Sequence, residues 1–277
     1  MSLDAHLHVW DRTRSAYSWL EHAPEEIAGS FSVDDGFAAL GPHGIERAIL
    51  VQADETLDET AFLLETAAAD PRIAGVVAYL PLHDAGAFER GWELFGAHPS
   101  LVGVRNLTHD RADEDWNVRA EVLSGIAAVA GRGLPLDYVS VTPRHLAHVP
   151  TIAARHPELT IVIDHLAKPP VGAGADAWAG WRTGIERAAE HDNVVAKVSG
   201  VYGEDAPGSA VADAVRVAVD AFGADRLMFG SDWPVIVTAG GPDRALPPML
   251  DAIAELSGPE RDAILGGTAR RVYGIGA

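Results

Sequence analysis

Residues 3–9 of the chain read LDAHLHV, a short apolar run that contains two histidines two positions apart. Seven further apolar runs follow it, rich in Val, Ile and Leu, and amphipathic segments of helix length separate them. They cover residues 47–53, 73–82, 101–107, 135–141, 160–167, 194–200 and 227–233. Weak alternation of apolar and polar residues is typical of strands that are buried on both faces of a parallel sheet. Eight such β-then-α units predict a closed (β/α)8 TIM barrel, slightly elaborated, which residues 1–277 form as a single domain.

The composition argues against several classes of function. Acidic residues number 40 and Lys plus Arg number 21, so the formal net charge is −19. Such a surface repels nucleic-acid phosphates and acidic membranes, and we expect neither as a partner. Because the chain has no cysteine, any metal must be held by histidine and carboxylate groups, which suit zinc or another first-row divalent ion. No stretch reaches the ~18 apolar residues of a membrane span and the N-terminus lacks a signal-peptide core, so we expect a cytoplasmic protein.

The first strand carries the first candidates for chemistry. In a (β/α)8 barrel the catalytic groups lie at the carboxyl ends of the strands, so the polar residues that end the apolar runs are of interest. His6 and His8 point to the same side of the strand, since side chains two positions apart share a face. They can converge on one metal ion or on one substrate oxygen. Asp4 has the same parity and can orient His6 by a hydrogen bond.

The sixth strand ends in Asp164 and His165, directly after the apolar residues 161–163. His165 shares parity with Ile161 and Ile163, and we expect these side chains to point into the barrel. His165 would then lie in the barrel mouth as a catalytic residue and metal ligand. Asp164 would face the helix layer, where a structural salt bridge or hydrogen bond is expected.

The eighth strand is followed by a carboxylate. The sequence 230-GSDWP-234 places Asp232 at the top of the barrel. A carboxylate in this position can ligate a metal ion and can also take a proton from water. An alternative role is the cap of a following helix, but the residue before a proline avoids the helical region, and Trp233 precedes Pro234. We therefore predict that Asp232 is catalytic.

Five further residues are candidates for substrate binding. They are Arg105 in strand four, Lys197 in strand seven, Gln52 at the end of strand two, Tyr138 in strand five and Trp19 in the first loop. A lysine inside a buried strand needs a reason: Lys197 could orient substrate, stabilise an oxyanion or form a structural bridge with Asp164. Arg105 could clamp a carboxylate or hydroxyl groups of a substrate, or pair with one of the many acids. Trp19 could cover the pocket or pack on the barrel rim.

The HxH pair in strand one, the Asp-His pair in strand six and GSDWP in strand eight form an ordered set. Together they resemble the amidohydrolase superfamily, in particular the lactonases of its amidohydrolase-2 branch. The resemblance extends over the whole chain, through 4-DAHLHVW-10, 164-DHLAKP-169, 197-KVSG-200 and 229-FGSDWP-234. It implies hydrolysis of sugar lactones (fucono-, rhamnono- or galactonolactones) or of dicarboxylate lactones such as pyrone dicarboxylate.

The resemblance also bears on metal use, because members of the family differ: some use one divalent ion and others work without any. We therefore expect one divalent ion, with Zn²⁺ as the first choice, and the activity of some family members without metal leaves open that the ion is dispensable. Its ligands would be His6, His8, His165 and Asp232. Members with a second metal usually have a further histidine after strand seven, where this chain has Lys197, so a second metal is not expected.

The resulting hypothesis is direct hydrolysis of a lactone ester. The three histidines, with or without Zn²⁺, would polarise the ring carbonyl. Asp232 would take the proton of the attacking water and later give it to the leaving alkoxide. Two alternatives stay open, namely a metal-dependent decarboxylase of the same superfamily and a non-catalytic binding protein that keeps the barrel. The sequence also leaves open whether the protein is a monomer or a homodimer.

Overall fold

The computed structural model describes residues 2–109, 111–201 and 208–276. Its centre is a sheet of eight parallel strands, in which each strand pairs with the next one along the chain. The strands are β1 (Ser2–Leu7), β2 (Ile45–Val51), β3 (Ile73–Ala78), β4 (Leu101–Asn106), β5 (Leu136–Tyr138), β6 (Ile161–Ile163), β7 (Val194–Val198) and β8 (Leu227–Phe229). Every strand therefore ends at the same rim, which is the rim that carries the polar residues.

The segments that follow β1 and β8 close the sheet into a barrel. The backbone N–H of Asp232 donates to the carbonyl of His6 at 2.9 Å, and the N–H of His8 donates to the carbonyl of Trp233 at 2.7 Å. Leu7 and Trp233 form a parallel bridge between the same two segments. The predicted (β/α)8 barrel is confirmed, and its closure brings the HxH pair beside Asp232. That residues 1–277 form a single domain stays a prediction.

Helices alternate with the strands and cover the outside of the barrel. They are α1 (Val33–Leu40), α2 (Leu57–Ala69), α3 (Ala85–Phe95), α4 (Ala120–Ala130), α5 (Pro143–Arg155), α6 (Ala175–Ala189), α7 (Gly208–Phe222), α8 (Pro242–Ala245), α9 (Pro247–Ala254), α10 (Gly258–Asp262) and α11 (Thr268–Val272). The side chains of Ser32, Thr56, Asp84 and Thr142 cap α1, α2, α3 and α5. Each accepts a backbone N–H that the first helical turn leaves without a partner. Within the described ranges, no helix is both long and apolar enough to cross a membrane.

Alternation along the strands divides the apolar residues between two cores. Val162, Val195 and Met228 pack inside the barrel. Ile161 and Ile163, the neighbours of Val162 in β6, pack outward against the helices. This alternation decides which residues of a strand reach the barrel interior, and therefore which polar residues can meet there.

Candidate active site

Three histidines and one aspartate converge at the carboxyl end of the barrel. His6 lies in β1 and His8 directly after it, His165 follows β6, and Asp232 follows β8. Oδ1 of Asp232 lies 3.7 Å from Nε2 of His6, 3.6 Å from Nε2 of His8 and 3.7 Å from Nε2 of His165. The Nε2 atoms of His6 and His8 are 3.1 Å apart. The structure thus places in one buried cluster the four residues that the sequence singled out as metal ligands.

A left-handed turn after β6 brings His165 into this cluster. Residues 165–168 have φ angles between 49° and 56° although no residue among them is glycine. This conformation costs roughly 1–2 kcal/mol per residue. The sequence argument placed His165 in the barrel by its shared parity with Ile161 and Ile163, and that argument was wrong, because both isoleucines face the helices. His165 reaches the mouth because the chain leaves the strand and turns.

Asp164 lies inside the barrel, whereas the sequence analysis placed it against the helix layer. Its Oδ2 accepts a hydrogen bond from Arg105 at 2.9 Å, and its Oδ1 lies 3.2 Å from Nδ1 of His6 and 3.1 Å from Nζ of Lys197. Burial alone would raise the pKa of Asp164, but Lys197 and His6 hold it well below its usual range. The correction follows from strand alternation, since Asp164 shares parity with Val162, which faces the interior.

Burial keeps the three histidines neutral. It lowers the pKa of His8, lowers that of His165 to about 3, and lowers that of His6 well below its usual value. Nδ1 of His8 lies 2.7 Å from the carbonyl oxygen of Val51, which can only accept, so this nitrogen carries the hydrogen and Nε2 has a lone pair. Nδ1 of His165 lies 2.9 Å from Oγ of Ser199. Neutral imidazole is the form that ligates a metal ion.

His6 has a partner for either of its neutral tautomers. Its Nδ1 lies 3.1 Å from the Lys197 ammonium, a donor, and 3.2 Å from Oδ1 of Asp164, an acceptor. When Lys197 donates to Nδ1, His6 carries its hydrogen on Nε2 and can donate to Nε2 of His8. When His6 instead carries the hydrogen on Nδ1, its Nε2 lone pair faces the Nε2 lone pair of His8. Two lone pairs in this arrangement can bind one cation between them. Either a proton or a metal ion can therefore lie between these two nitrogens.

Asp232 is the carboxylate of the cluster. Burial alone would raise its pKa, but His165, a hydrogen bond with His8 and the Lys168 ammonium together hold it well below its usual range. Asp232 is consequently ionised at neutral pH. An ionised carboxylate can ligate a cation, and it can also accept a proton from water.

The geometry of the cluster fits one divalent metal ion. Tetrahedral zinc, with donor atoms at about 2.0–2.2 Å, requires those atoms to lie about 3.3–3.6 Å from one another. The distances among the donors of His6, His8 and Asp232 range from 3.1 to 3.7 Å. A second group, His6 with Asp164 and His165, could also hold an ion. The first group is better suited, because Asp164 is already paired with two cations.

The cluster opens into a cavity of about 290 Å³ at the mouth of the barrel. His8, His165 and Asp232 supply its reactive groups, and Trp10 and Trp19 contribute apolar wall. Nε1 of Trp19 donates to the carbonyl of Ala53 at 2.8 Å, which fixes the indole ring. Trp19 thus both packs on the rim and lines the cavity.

Arg105 lies in the cavity wall, but the protein itself uses its donors. Its Nε donates to Oε1 of Gln52 at 3.1 Å, its Nη2 to the carbonyl of Gln52 at 2.8 Å, and its Nη1 to Asp164 at 2.9 Å. Gln52 is fully buried, and its Nε2 has no partner among the described residues. Gln52 therefore contributes mainly by holding the guanidinium in place.

Lys197 and Tyr138 lie apart from the described lining of this cavity. Lys197 is fully buried and donates to Asp137 deep in the barrel, and burial raises the pKa of Asp137 to about 6. Tyr138 is next to Asp137 in β5 and faces the opposite side, where its hydroxyl donates to the carbonyl of His145 at 2.9 Å. Strand alternation thus corrects the expectation that Tyr138 lines the pocket, and Lys197 has the structural pairing that the sequence left open.

A larger cavity, of about 780 Å³, lies outside the barrel between α5 and α6. It meets the smaller cavity at Val141 and Lys168, which line both. Its wall contains Trp181 and Arg187, and the histidine–carboxylate cluster lies in the smaller cavity. Reactive groups, and not volume, therefore identify the smaller cavity as the candidate active site.

Two residues near the cluster escaped the sequence analysis. Lys168 lines the cavity, and Ser199 contacts the ring of His165. Both lie in quoted motifs, 164-DHLAKP-169 and 197-KVSG-200, but polarity alone gave no reason to prefer them. One signal could have identified Lys168, because the chain contains two lysines, Lys168 and Lys197, among 21 basic residues.

The sequence model of the amidohydrolase family (Amidohydro_2) matches residues 3–275 of the chain. The chain belongs to the amidohydrolase family. Among curated relatives of this amidohydrolase, an L-fucono-1,5-lactonase of Burkholderia multivorans is 34% identical over an alignment of 289 positions, gaps included. The alignment covers 99% of this chain and 96% of the relative. An L-fucono-1,5-lactonase of Burkholderia ambifaria is 34% identical over 241 residues, which cover 86% of this chain and 82% of the relative.

Solved amidohydrolase structures agree with this assignment. The crystal structure of an amidohydrolase from Burkholderia multivorans with bound zinc superposes with a TM-score of 0.89 at 31% sequence identity, over the full length of both chains. Decarboxylases share the barrel at 14 to 17% identity, which shows the fold alone. The family resemblance inferred from the sequence is thereby confirmed.

Proposed function

We propose that the protein is a hydrolase that opens a lactone, specifically a sugar-acid lactone, and thereby acts on a carboxylic ester bond. The observation that carries the proposal is the convergence of three neutral histidines on the Asp232 carboxylate at the floor of a small cavity. Similarity to two proteins named L-fucono-1,5-lactonase supports the choice of substrate class. A role in carbohydrate metabolism would follow from that substrate. Cytoplasmic location stays a prediction, and the oligomeric state stays open.

A divalent ion, with zinc as the first choice, is part of the proposal. His6, His8 and Asp232 would hold it, because their donor atoms have the required spacing, and His165, 3.7 Å from Asp232, would be the fourth ligand. The ion would supply Lewis-acid polarisation of the lactone carbonyl. The similar amidohydrolase structure with bound zinc supports this choice of metal.

The residues of the chain perform the remaining steps. The carbonyl of the lactone lies toward the histidines, and water attacks it from the side of Asp232. The ionised Asp232 accepts a proton from this water and returns it to the ring oxygen when the carbon–oxygen bond breaks, so that a hydroxy acid is released. Lys197 and Asp164 hold His6 in position, and Gln52 does the same for Arg105. Trp19 and Arg105 form part of the cavity wall that the substrate would meet.

Acid release over a panel of sugar-acid lactones, followed with a pH indicator, tests the proposal. We expect turnover by the wild type and a loss of at least about 100-fold in kcat for Asp232→Asn, because the amide cannot accept the proton. Asp243→Asn is the control, since Asp243 is an exposed carboxylate outside the cavity lining. Full activity of Asp232→Asn, or no turnover of any lactone by the wild type, contradicts the proposal. Release of CO2 without lactone opening favours a decarboxylase, and a tightly bound ligand that is recovered unchanged favours a binding protein.

Metal content is measured separately from activity. We expect about one zinc ion per chain by atomic absorption after purification in zinc-containing buffer, and a clear loss of zinc in His8→Asn. His98→Asn is the control, because His98 precedes β4 at the opposite end of the barrel. If the wild type, His8→Asn and His98→Asn contain equal amounts of zinc, the cluster is not a zinc site. The metal is then removed from the proposal, and the histidines remain as the polarising groups.

A further inference from the structure

Lys168 lines the candidate active site and has no role in the mechanism given above. It follows β6 at the end of the left-handed turn, with a φ of 52°, and its side chain is exposed. We infer that Lys168 is the residue that selects oxygen-rich substrates, by pairing its ammonium with a hydroxyl or carboxylate oxygen on the lactone ring. This inference rests on the proposed lactone hydrolysis and names the residue that decides which lactones are used.

The turn after β6 fixes Lys168 relative to the reactive groups. Its four consecutive left-handed residues begin at His165 and end at Lys168, and the N–H of Lys168 closes the turn by donating to the carbonyl of His165 at 2.8 Å. Strain of this kind persists where the surrounding structure requires it, and it is concentrated at functional sites. The consequence is that one short strained segment carries both a histidine of the cluster and a cation at the cavity wall.

Among the described residues that line the cavity, two are cations, Arg105 and Lys168. The donors of Arg105 are directed to Gln52, Asp164 and His6. The ammonium of Lys168 has three donors and forms no hydrogen bond or ion pair with a side chain in the described ranges. It lies near enough to Asp232 and His165 to lower the pKa of both. Lys168 is therefore the cation whose donors can turn to a substrate.

The choice of lysine at this position stands out in this chain. Of 21 basic residues only Lys168 and Lys197 are lysines, and Lys197 is fully buried. An ammonium is a compact charge on a flexible stem, which can follow hydroxyl groups in different positions, whereas arginine has a planar fork of fixed geometry. The cavity of about 290 Å³ is at the small end of the range for small-molecule sites, so the substituents of a single ring would meet this wall.

Two matched substrates test the inference. One is a 1,5-lactone of a six-carbon sugar acid that the wild type hydrolyses, and the other is δ-valerolactone, which has the same ring without hydroxyl groups. In Lys168→Met we expect kcat/KM for the sugar lactone to fall by about 10- to 100-fold, mostly through KM, because a charge-assisted hydrogen bond to the substrate is lost. We expect little change for δ-valerolactone, whose ring has no hydroxyl group for the ammonium to bind. If δ-valerolactone binds without turnover, its inhibition constant takes the place of kcat/KM. Lys168→Arg should recover part of the selectivity.

The control is Arg187→Met, which removes a cation from the neighbouring cavity between α5 and α6 and should leave the selectivity unchanged. An equal loss on both substrates in Lys168→Met, or no loss, overturns the inference. A loss in Arg187→Met as large as that in Lys168→Met also overturns it, because the selecting surface would then be the outer cavity. If the wild type opens no lactone at all, the proposed function fails first, and that outcome is distinct from these.

Acetylation of lysine provides a second measurement. Because Lys197 is fully buried, Lys168 is the lysine that acetic anhydride should reach in the folded protein. We expect the hydroxy-acid product of the sugar lactone to slow acetylation of Lys168 at least tenfold, as measured by mass spectrometry of peptides, while valerate has no such effect. Equal acetylation rates with both additives contradict a direct contact between Lys168 and the oxygens of the ligand.

Discussion

At the scale of single residues, the chemistry depends on which atoms of the cluster carry protons. Nδ1 of His8 donates a hydrogen bond to the Val51 carbonyl, and Nδ1 of His6 either accepts one from Lys197 or donates one to Asp164. The contact of His8 with Val51, and that of His6 with Asp164, leave an Nε2 lone pair directed into the cluster, whereas a protonated imidazole has none. Burial is what keeps the rings neutral, and this has a measurable effect on stability as well as on chemistry.

Lowering the pH from 7 to 4 should destabilise the protein through His165. Its pKa is about 3 in the folded protein and 6.5 in an exposed histidine, so in this range mainly the unfolded state binds the proton. The stability that neutral His165 contributes is fully present above pH 6.5 and is lost as the pH falls, by about 1.4 kcal/mol per pH unit. We expect the Tm of the metal-free wild type to fall more steeply than that of metal-free His165→Gln, as measured by circular dichroism.

The comparison with His165→Gln isolates this effect. Carboxyl groups whose pKa is raised by burial, such as Asp137, act in the opposite direction, because they favour the folded state as the pH falls. They are present in both proteins, so their contribution cancels in the difference. Parallel Tm curves for the two proteins between pH 6.5 and 4 would show that His165 does not remain neutral in the folded state.

At the scale of elements, loops after short strands position the reactive groups. β6 and β8 have three residues each, and the turns after them supply His165 and Asp232. The loop after β7 supports the first of these turns, since Gly200 lies against the ring of His165. A Cβ atom at Gly200 would lie 2.6 Å from Nδ1 of His165, which is too close for any side chain, and φ is +57°. The position thus requires glycine for both space and backbone conformation.

Gly200→Ala should reduce activity more than it reduces stability. The added methyl group must displace the His165 ring, so we expect kcat to fall by about 10- to 100-fold, in line with the effect of misplacing a catalytic group by about 1 Å. The matched control is Gly44→Ala, where the backbone is also left-handed, with φ at +78°, and a Cβ atom would meet nothing within 4 Å. Both variants should lose about 1 kcal/mol of stability from backbone strain. Equal kcat values in the two variants would contradict the positioning role of Gly200.

At the scale of the whole molecule, a network of buried polar contacts runs through the barrel interior. Tyr273, after the last helix, donates to Asp137 at 2.8 Å, and Asp137 accepts from Lys197, which contacts Asp164. Arg105, which donates to Asp164, extends this network to the cavity wall. Charges removed from water in this way are costly unless each has a partner. The network therefore connects the end of the chain to the candidate active site.

Removing Lys197 should destabilise the whole barrel. Lys197→Met leaves Asp137 and Asp164 with fewer cations in a buried site, which costs about 3–5 kcal/mol and should lower Tm by about 6–20 °C. The double variant Lys197→Met/Asp137→Asn should recover part of this loss, because the uncompensated charge is removed. Thermal melting measures both. An unchanged Tm in Lys197→Met would mean that the network does not contribute to stability.

Much of the fold and of the site could be predicted from the order of residues. Apolar runs separated by amphipathic segments indicated the barrel, and the polar residues that end these runs included all four members of the cluster. The prediction failed where it used strand alternation beyond the end of a strand. His165 reaches the cluster through a left-handed turn that the sequence does not reveal, and Asp164 faces the interior although the alternation argument placed it outside. Tyr138 was expected to line the pocket and instead lies on the outer face of β5.

The sequence by itself determined the barrel, the HxH pair, the carboxylate after β8 and the absence of any cysteine ligand, because these depend on local pattern and composition. Only the tertiary structure decided that Nε2 of His6 and His8 lie 3.1 Å apart beside Asp232, that Asp164 faces inward, and that the cavity wall carries Lys168. These distances arise when the barrel closes and brings β1 beside β8, more than 220 residues apart. Contacts between residues so distant in the chain depend on the register and twist of all eight strands, which no local pattern encodes.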